Sequence, residues 1–276
     1  MVAPARHARN ALIERLRQAR RDANLTGADL ARALGAGWGQ PKVSKIESGR
    51  QLPTEDEVHA WAAETQVDVA ELLALLNRAQ HEHISFQETF EQPGGPAQFQ
   101  DALGEAERAV TTISGYQPTI VHGLLQTADY ARQMLHLPGG PVDNGASRDE
   151  IDQLVAARMR RQAILYEPGR TITIILSEAA LYNRVADDAA MQEQRAHVSR
   201  LAATTRATIG IVPFTQPMPA MLVHGWDQRG DIVTIETAAG DLEVADPVEV
   251  ARYERYLSLL EEVAVTGDRV ATLCKA

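Results

Sequence analysis

Gln40, Lys42, Ser44 and Lys45 share one short segment, Gln40-Pro41-Lys42-Val43-Ser44-Lys45-Ile46-Glu47, and Arg50 lies just beyond it. An amide that both donates and accepts, together with cationic donors, suits base edges and phosphate oxygens. The segment that carries them must be narrow enough to enter the major groove of a duplex. Other chemistries find no footing. The chain has no nucleophile motif, no metal-ligand spacing and no glycine-rich phosphate loop, so no enzyme, cofactor or metal site is expected.

The elements around this segment fit that use. Val43 and Ile46, three apart, turn toward a core while Gln40, Lys42 and Lys45 turn out. Pro41 is tolerated because the first turn of a helix has no intrahelical use for its N–H. A preceding helix is predicted to open at Thr26, with Asp29 at the spacing of a capping box. Leu30, Ala31 and Leu34 share a face of it, and the small Ala31 permits close approach of the next helix. Gly35 supplies the turn, and Trp38 is predicted to plug it with apolar surface. Thr54 to Glu57 and Asp68 to Glu71 repeat the capping-box spacing and predict two further helices.

Arg20, Leu25-Thr26, Ala31, Gly35, Val43, Ile46, Glu47 and Gly49 together resemble the lambda-repressor/Cro-like (xenobiotic response element) helix-turn-helix family over residues 8–77. The resemblance implies an all-α, five-helix DNA-binding domain. Gln40, Pro41 and Lys45 would take the base-facing positions, and Glu47 would pair with Arg20. Arg17, Lys42 and Arg50 are the expected phosphate anchors, with Ser44 and Thr26 also in the DNA-binding set. The sequence departs from the family at two points. Gly27 stands where the family often has a phosphate-contacting glutamine, and the turn between Gly35 and Trp38 is longer by about two residues than the family's shortest form.

Charge is divided along the chain. Residues 1–50 hold 10 Arg and Lys against four acids, whereas the remainder holds 17 against 33, for a net charge of −10. A locally positive end suits phosphate binding, since nearby charge dominates at physiological salt, and the acidic remainder discourages indiscriminate association. On charge alone, Arg15, Arg17, Arg20 and Arg21 would also fit an ordinary solvated helix face. The 45% hydrophobic content is that of a globular protein. No apolar run approaches the ~20 residues of a membrane span, and Met1–Asn10 lacks the apolar core of a signal peptide. The single cysteine, Cys274, can form no internal disulfide, so a cytoplasmic location is expected.

The length suits about two domains. The expected division is a DNA-binding domain at 1–80, a linker at 81–98 that includes Gln92-Pro93-Gly94-Gly95-Pro96, and a second domain at 99–276. His81 and His83 could share one face of a strand, but two imidazoles do not make a metal site. In the second domain, periodicity predicts helices over 101–114, from Thr127, from Ser147, across 178–204, and from Asp246-Pro247. Strands are predicted at 171–176, 208–212, around 221–223, and at 231–237. The class is α+β, with helices before and after a small sheet.

Glu105, Tyr116-Gln117-Pro118, Gly123-Leu124-Leu125-Gln126-Thr127, Tyr130-Ala131-Arg132, Arg161-Gln162-Ala163-Ile164-Leu165, Ser177-Glu178-Ala179-Ala180-Leu181 and Ile211-Val212-Pro213 extend the comparison. Over residues 102–265 they resemble the C-terminal domain, of unknown function, of a large actinobacterial group of regulators. Some members resemble antitoxins that work with a small protein encoded next door. His122 stands where members often have proline. Gly123–Thr127 itself reads as a structural turn with Thr127 as helix cap, and His122, Gln126, Tyr130 and Arg161 are the candidate partner or ligand contacts. Arg158, Arg160 and Arg161 read as a solvated helix face.

The expected protein is thus a homodimeric, sequence-specific transcriptional regulator of double-stranded DNA. Its second domain is read first as antitoxin-like, binding a small partner protein. The alternatives are a sensor of a small-molecule effector and, remotely, an enzyme fused to a DNA-binding head.

Overall fold

The computed structural model describes residues 7–85, 95–141, 145–237 and 240–275. These fall into two compact units: residues 7–83 with Leu242–Pro247, and residues 84–241 with 248–275. The part of the expected linker over 86–94 lies outside the described residues. Strands β1 (His81–Ser85) and β7 (Gly240–Val244) occur where the chain passes between units.

The first unit contains α1 (His7–Asp22), α2 (Gly27–Leu34), α3 (Gln40–Glu47), α4 (Glu55–Thr65) and α5 (Val69–Gln80). Leu12 and Leu16 of α1, Leu30 of α2, Val43 and Ile46 of α3, Trp61 of α4, and Leu72 and Leu76 of α5 converge in one core. Their three- and four-residue spacings set one stripe per helix inward, and burying those stripes drives the assembly. The capping boxes at Thr26–Asp29 and Thr54–Glu57 are both closed. The third is not. Asp68 Oδ1 accepts from Ala70 N, while Glu71 is drawn off to Arg15, whose Nε and Nη2 each donate to it at 2.8 Å.

The second unit is α+β, and its sheet is more extensive than the sequence marked. Strands β2 (Thr112–Gln117), β3 (Thr171–Ser177), β4 (Thr208–Val212), β5 (Trp226–Arg229), β6 (Ile232–Thr237) and β8 (Val265–Thr266) run in the order β6-β5-β2-β3-β4-β8. The β2–β3 and β3–β4 pairs are parallel, whereas β2–β5, β5–β6 and β4–β8 are antiparallel. Around the sheet lie α6 (Gly95–Arg108), α7 (Ala128–Leu135), α8 (Arg148–Arg161), α9 (Ala179–Tyr182), α10 (Asp188–Thr204) and α11 (Pro247–Val263). Ile172, Ile174 and Leu176 of β3 join Met191, Val198 and Leu201 of α10 in the main core. Elsewhere Tyr116, Trp226, Tyr253 and Tyr256 pack as an aromatic group.

Three expectations for this unit are corrected. The helix predicted over 101–114 ends at Arg108, and its last residues form β2. Residues 221–223 are not a strand, and Met221 and Val223 are exposed. The helix predicted across 178–204 is broken between Tyr182 and Asp188, where Asp187 caps α10 through Ala190 N. Cys274 packs against the main core, and burial pushes its thiol up to about 11, so the thiolate needed for redox chemistry is scarce. Among the described residues no helix is long and apolar enough to cross a membrane.

Candidate nucleic-acid interface and a cavity in the second unit

Helix α3 begins after Gly39, with Pro41 in its first turn. Gly35 takes φ +81°, a left-handed conformation that costs glycine little, and so lets the chain leave α2. Trp38 then packs edge-on against Trp61, their ring centroids 5.9 Å apart. Val43 and Ile46 are fully buried, which fixes the rotation of α3 and leaves Gln40, Pro41, Ser44 and Lys45 exposed on its other side.

The Arg20 guanidinium secures α3 to α1. Its Nε and Nη2 donate to Glu47 at 2.6 and 3.0 Å, and its Nη1 donates to Leu25 O at 2.7 Å. Two parallel charge-assisted bonds to a carboxylate define an orientation as well as a contact. The Glu47 pairing therefore holds Arg20 in the fold, and Ala31, Val43 and Ile46 do the same as buried packing residues.

Arg17, Gly27, Gln40, Ser44, Glu47 and Ser48 line an open cleft of about 290 Å³ between α1, the start of α2 and α3. Arg17 is only loosely engaged, 3.5 Å from Glu14. Arg50 is exposed beyond the end of α3.

Two expected contacts are used differently. Lys42 does not stand outward with Lys45. Its Nζ lies 2.5 Å from Glu57 Oε1 and 4.6 Å from the centre of the Trp38 ring, so its charge is spent on the protein's own body. The Thr26 hydroxyl donates to Asp29 Oδ2 at 2.6 Å and accepts from Asp29 N at 3.1 Å, which commits it to the helix cap although Thr26 is exposed.

The second unit contains a partly open cavity of about 480 Å³. Asp227, Arg229, Thr234 and Glu236 from β5 and β6 line one part of it, and Leu154, Arg158 and Arg161 from α8 another. Gly115 is required behind Asp227, because a Cβ there would come within 2.7 Å of Asp227 Oδ1 and 2.9 Å of Trp226 O. His122 Nε2 lies 2.9 Å from Asp227 Oδ1, to which Gln117 Nε2 also donates at 3.1 Å. His122 Nδ1 accepts from Leu124 N at 3.1 Å, so the ring proton that meets Asp227 is on Nε2. Burial opposes ionisation of Asp227, but His122, Arg229 and Gln117 together hold its carboxyl well below the usual carboxylate range. Arg158 Nη1 donates to Gln126 Oε1 at 2.7 Å.

A family model described as a domain of unknown function, DUF5753, matches residues 100–276. The chain belongs to that family. A model described as a helix-turn-helix domain matches residues 11–75, which makes the first unit a DNA-binding module of the kind found in regulators. No curated protein and no solved structure matches the chain.

Within the DUF5753 domain, the residues singled out from sequence form an internal network. Gln126 Nε2 donates to Val121 O at 2.7 Å, and Tyr130 Oη accepts from Val121 N at 3.1 Å. Gln194, which the sequence did not single out, bridges the same turn by accepting from Thr127 N and donating to Leu125 O. Tyr130 is fully buried and cannot reach a partner, whereas His122, Gln126 and Arg161 line the cavity. The solvated arginine face is corrected too. Arg160 is exposed beside Asp101, but Arg161 is buried, with Nε and Nη2 on Glu107 at 3.1 and 2.6 Å and Nη1 on Gln100. Arg158 is set into the cavity wall, half-buried, with its Nε out of reach of solvent.

Proposed function

We propose that this protein is a sequence-specific transcriptional regulator, which binds its operator as a homodimer in the cytoplasm and whose DUF5753 domain receives the regulating signal. The observation that carries this is the division of α3. Val43 and Ile46 are buried and Glu47 is gripped by Arg20, so Gln40, Ser44 and Lys45 are presented together on a fixed helix. That arrangement supports base reading by Gln40 and Lys45, with Arg17 and Arg50 on phosphates. An eight-residue helix offers too few contacts for tight specific binding, so two copies on a pseudo-palindrome are expected.

For the signal, the cavity of the second unit, lined by apolar and charged side chains together, favours a small-molecule effector, and the regulator works by binding rather than catalysis. A second reading, antitoxin-like control by a small partner protein, is supported by the exposure of Phe214, Met218, Met221 and Val223 close together in sequence. Selection from random duplexes followed by footprinting tests the DNA-binding reading. The expected result is an enriched two-fold site whose halves lie about 10 base pairs apart, one helical turn, or a multiple of that. Enrichment of no sequence would overturn it.

A further inference from the structure

We propose that the cavity of the DUF5753 domain binds a small apolar zwitterion, an amino acid with a large hydrocarbon side chain or a short apolar peptide, with its carboxylate on Arg158 and its ammonium on Glu236. The inference deepens the effector reading above.

It begins with charges that the fold leaves unmatched. Among the described residues, Arg158 makes one hydrogen bond, to Gln126, and its Nε is buried without a partner. No described carboxylate comes within ion-pair distance of it. Neighbouring Arg161 differs, since Glu107 and Gln100 absorb its guanidinium. Desolvation and the Arg161 charge lower Arg158 to about 10, which still leaves it cationic at neutral pH. A desolvated guanidinium with open donors is costly to maintain, and it is shaped to take a carboxylate through two parallel bonds.

Glu236 supplies the opposite charge. It lines the same cavity from the exposed end of β6, where solvent reaches it, and has no hydrogen bond or ion pair among the described residues. Crowding by the protein around it pushes its carboxyl up, and Arg158 pulls it back down, so the two groups sense one another without touching. Of the cavity's other charges, Asp227 is held by His122 and Gln117 and Asp241 has a partner of its own, while Arg229 donates to Thr234 Oγ1 at 2.6 Å and lies near enough to Asp227 to lower its carboxyl.

These facts restrict the ligand. A simple anion would satisfy Arg158 but face Glu236, and a simple cation would reverse the fault. A neutral hydrocarbon would leave the buried Arg158 Nε and its neighbouring donors without an acceptor. A zwitterion satisfies both at once. Its hydrocarbon would lie against Phe99, Leu103, Leu135, Leu137 and Leu154, which also line the cavity. The volume of about 480 Å³ lies within the range of small-molecule sites.

The test uses the full-length protein with L-leucine, L-phenylalanine and the dipeptide Leu-Phe, each also as its N-acetyl and C-amide derivative. Binding is read by calorimetry and by thermal stabilisation. At least one zwitterion should bind once per chain, and either blocked form should bind tenfold or more weakly. Glu236→Gln, which breaks no hydrogen bond, should bind the N-acetyl form as well as the zwitterion. Arg158→Gln should lose both, and Leu103→Trp, which fills the cavity, serves as an independent check should Arg158→Gln not fold. Failure of every zwitterion, or equal binding of blocked and free forms, overturns the assignment. DNA affinity is measured separately. A bound zwitterion that leaves it unchanged removes the effector role but not the site, whereas a ligand of another class that alters it keeps the role and overturns the zwitterion.

Discussion

Lys42 and Glu57 are joined across the first unit in a way that ties two helix starts together. Lys42 Nζ lies 2.5 Å from Glu57 Oε1, while Glu57 Oε2 accepts from Thr54 N at 3.0 Å and closes the cap of α4. Lys42 therefore belongs to the scaffold that holds α3. Replacing it with methionine should lower stability by about 1 kcal/mol, through loss of a charge-assisted bond at a partly exposed site. Denaturant unfolding measures that loss. The same variant should keep the salt dependence of DNA binding nearly unchanged, because a phosphate contact would have contributed to the slope. A slope flattened by about one counterion would return Lys42 to the phosphate.

Gly27 leaves part of the cleft between α2 and α3 unfilled. A Cβ there would meet only Val43 Cγ1 at 3.7 Å and Gln40 Cγ at 3.9 Å, which are ordinary contacts. Gly27→Gln should therefore fold, stabilise α2 by roughly 0.5–1 kcal/mol, and add a phosphate donor. Fluorescence anisotropy should show tighter binding to cognate and scrambled duplexes by similar factors. Weaker binding to both would mean that the start of α2 does not face the backbone.

Acid should weaken the DUF5753 domain through His197 and His224. Burial lowers both below the ordinary 6.5, and Arg200 lowers His197 further while Glu193 opposes it. His197 Nε2 is buried without a partner, and Nδ1 lies 3.4 Å from the Arg200 guanidinium, so a second ring proton has no acceptor. Because the unfolded chain takes up these protons first, stability is complete above 6.5 and falls as pH drops through that value toward the lower folded values. Thermal unfolding between pH 7.5 and 5.5 should show this loss, and His197→Gln should reduce it. An unchanged pH dependence in that variant would remove His197 from the account.

Local signals were readable and distant ones were not. Thr26 with Asp29, Ser147 with Glu150, and the spacing of Val43 and Ile46 all act within one helical turn, so the residue pattern carries them. Lys42 looked solvent-facing because its partner lies on another helix. The run ending in Arg161 looked solvated because Glu107 is 54 positions away. Strand β2 was hidden by Val110 and Ile113 continuing a helical rhythm, although Val110-Thr111-Thr112-Ile113 is a β-branched run that favours a strand. The cavity could not be read at all, since its lining extends from Phe99 to Asp241 and only the sheet brings those residues together.

The recognition helix is tested most directly by paired equilibrium titrations of Gln40→Ala and Lys45→Ala against the selected operator and a scrambled duplex, all at one salt concentration. Each variant should lose about 1–3 kcal/mol on the operator and much less on the scrambled duplex, so that the ratio of the two affinities collapses. If both variants keep the parent's ratio, α3 does not read the operator.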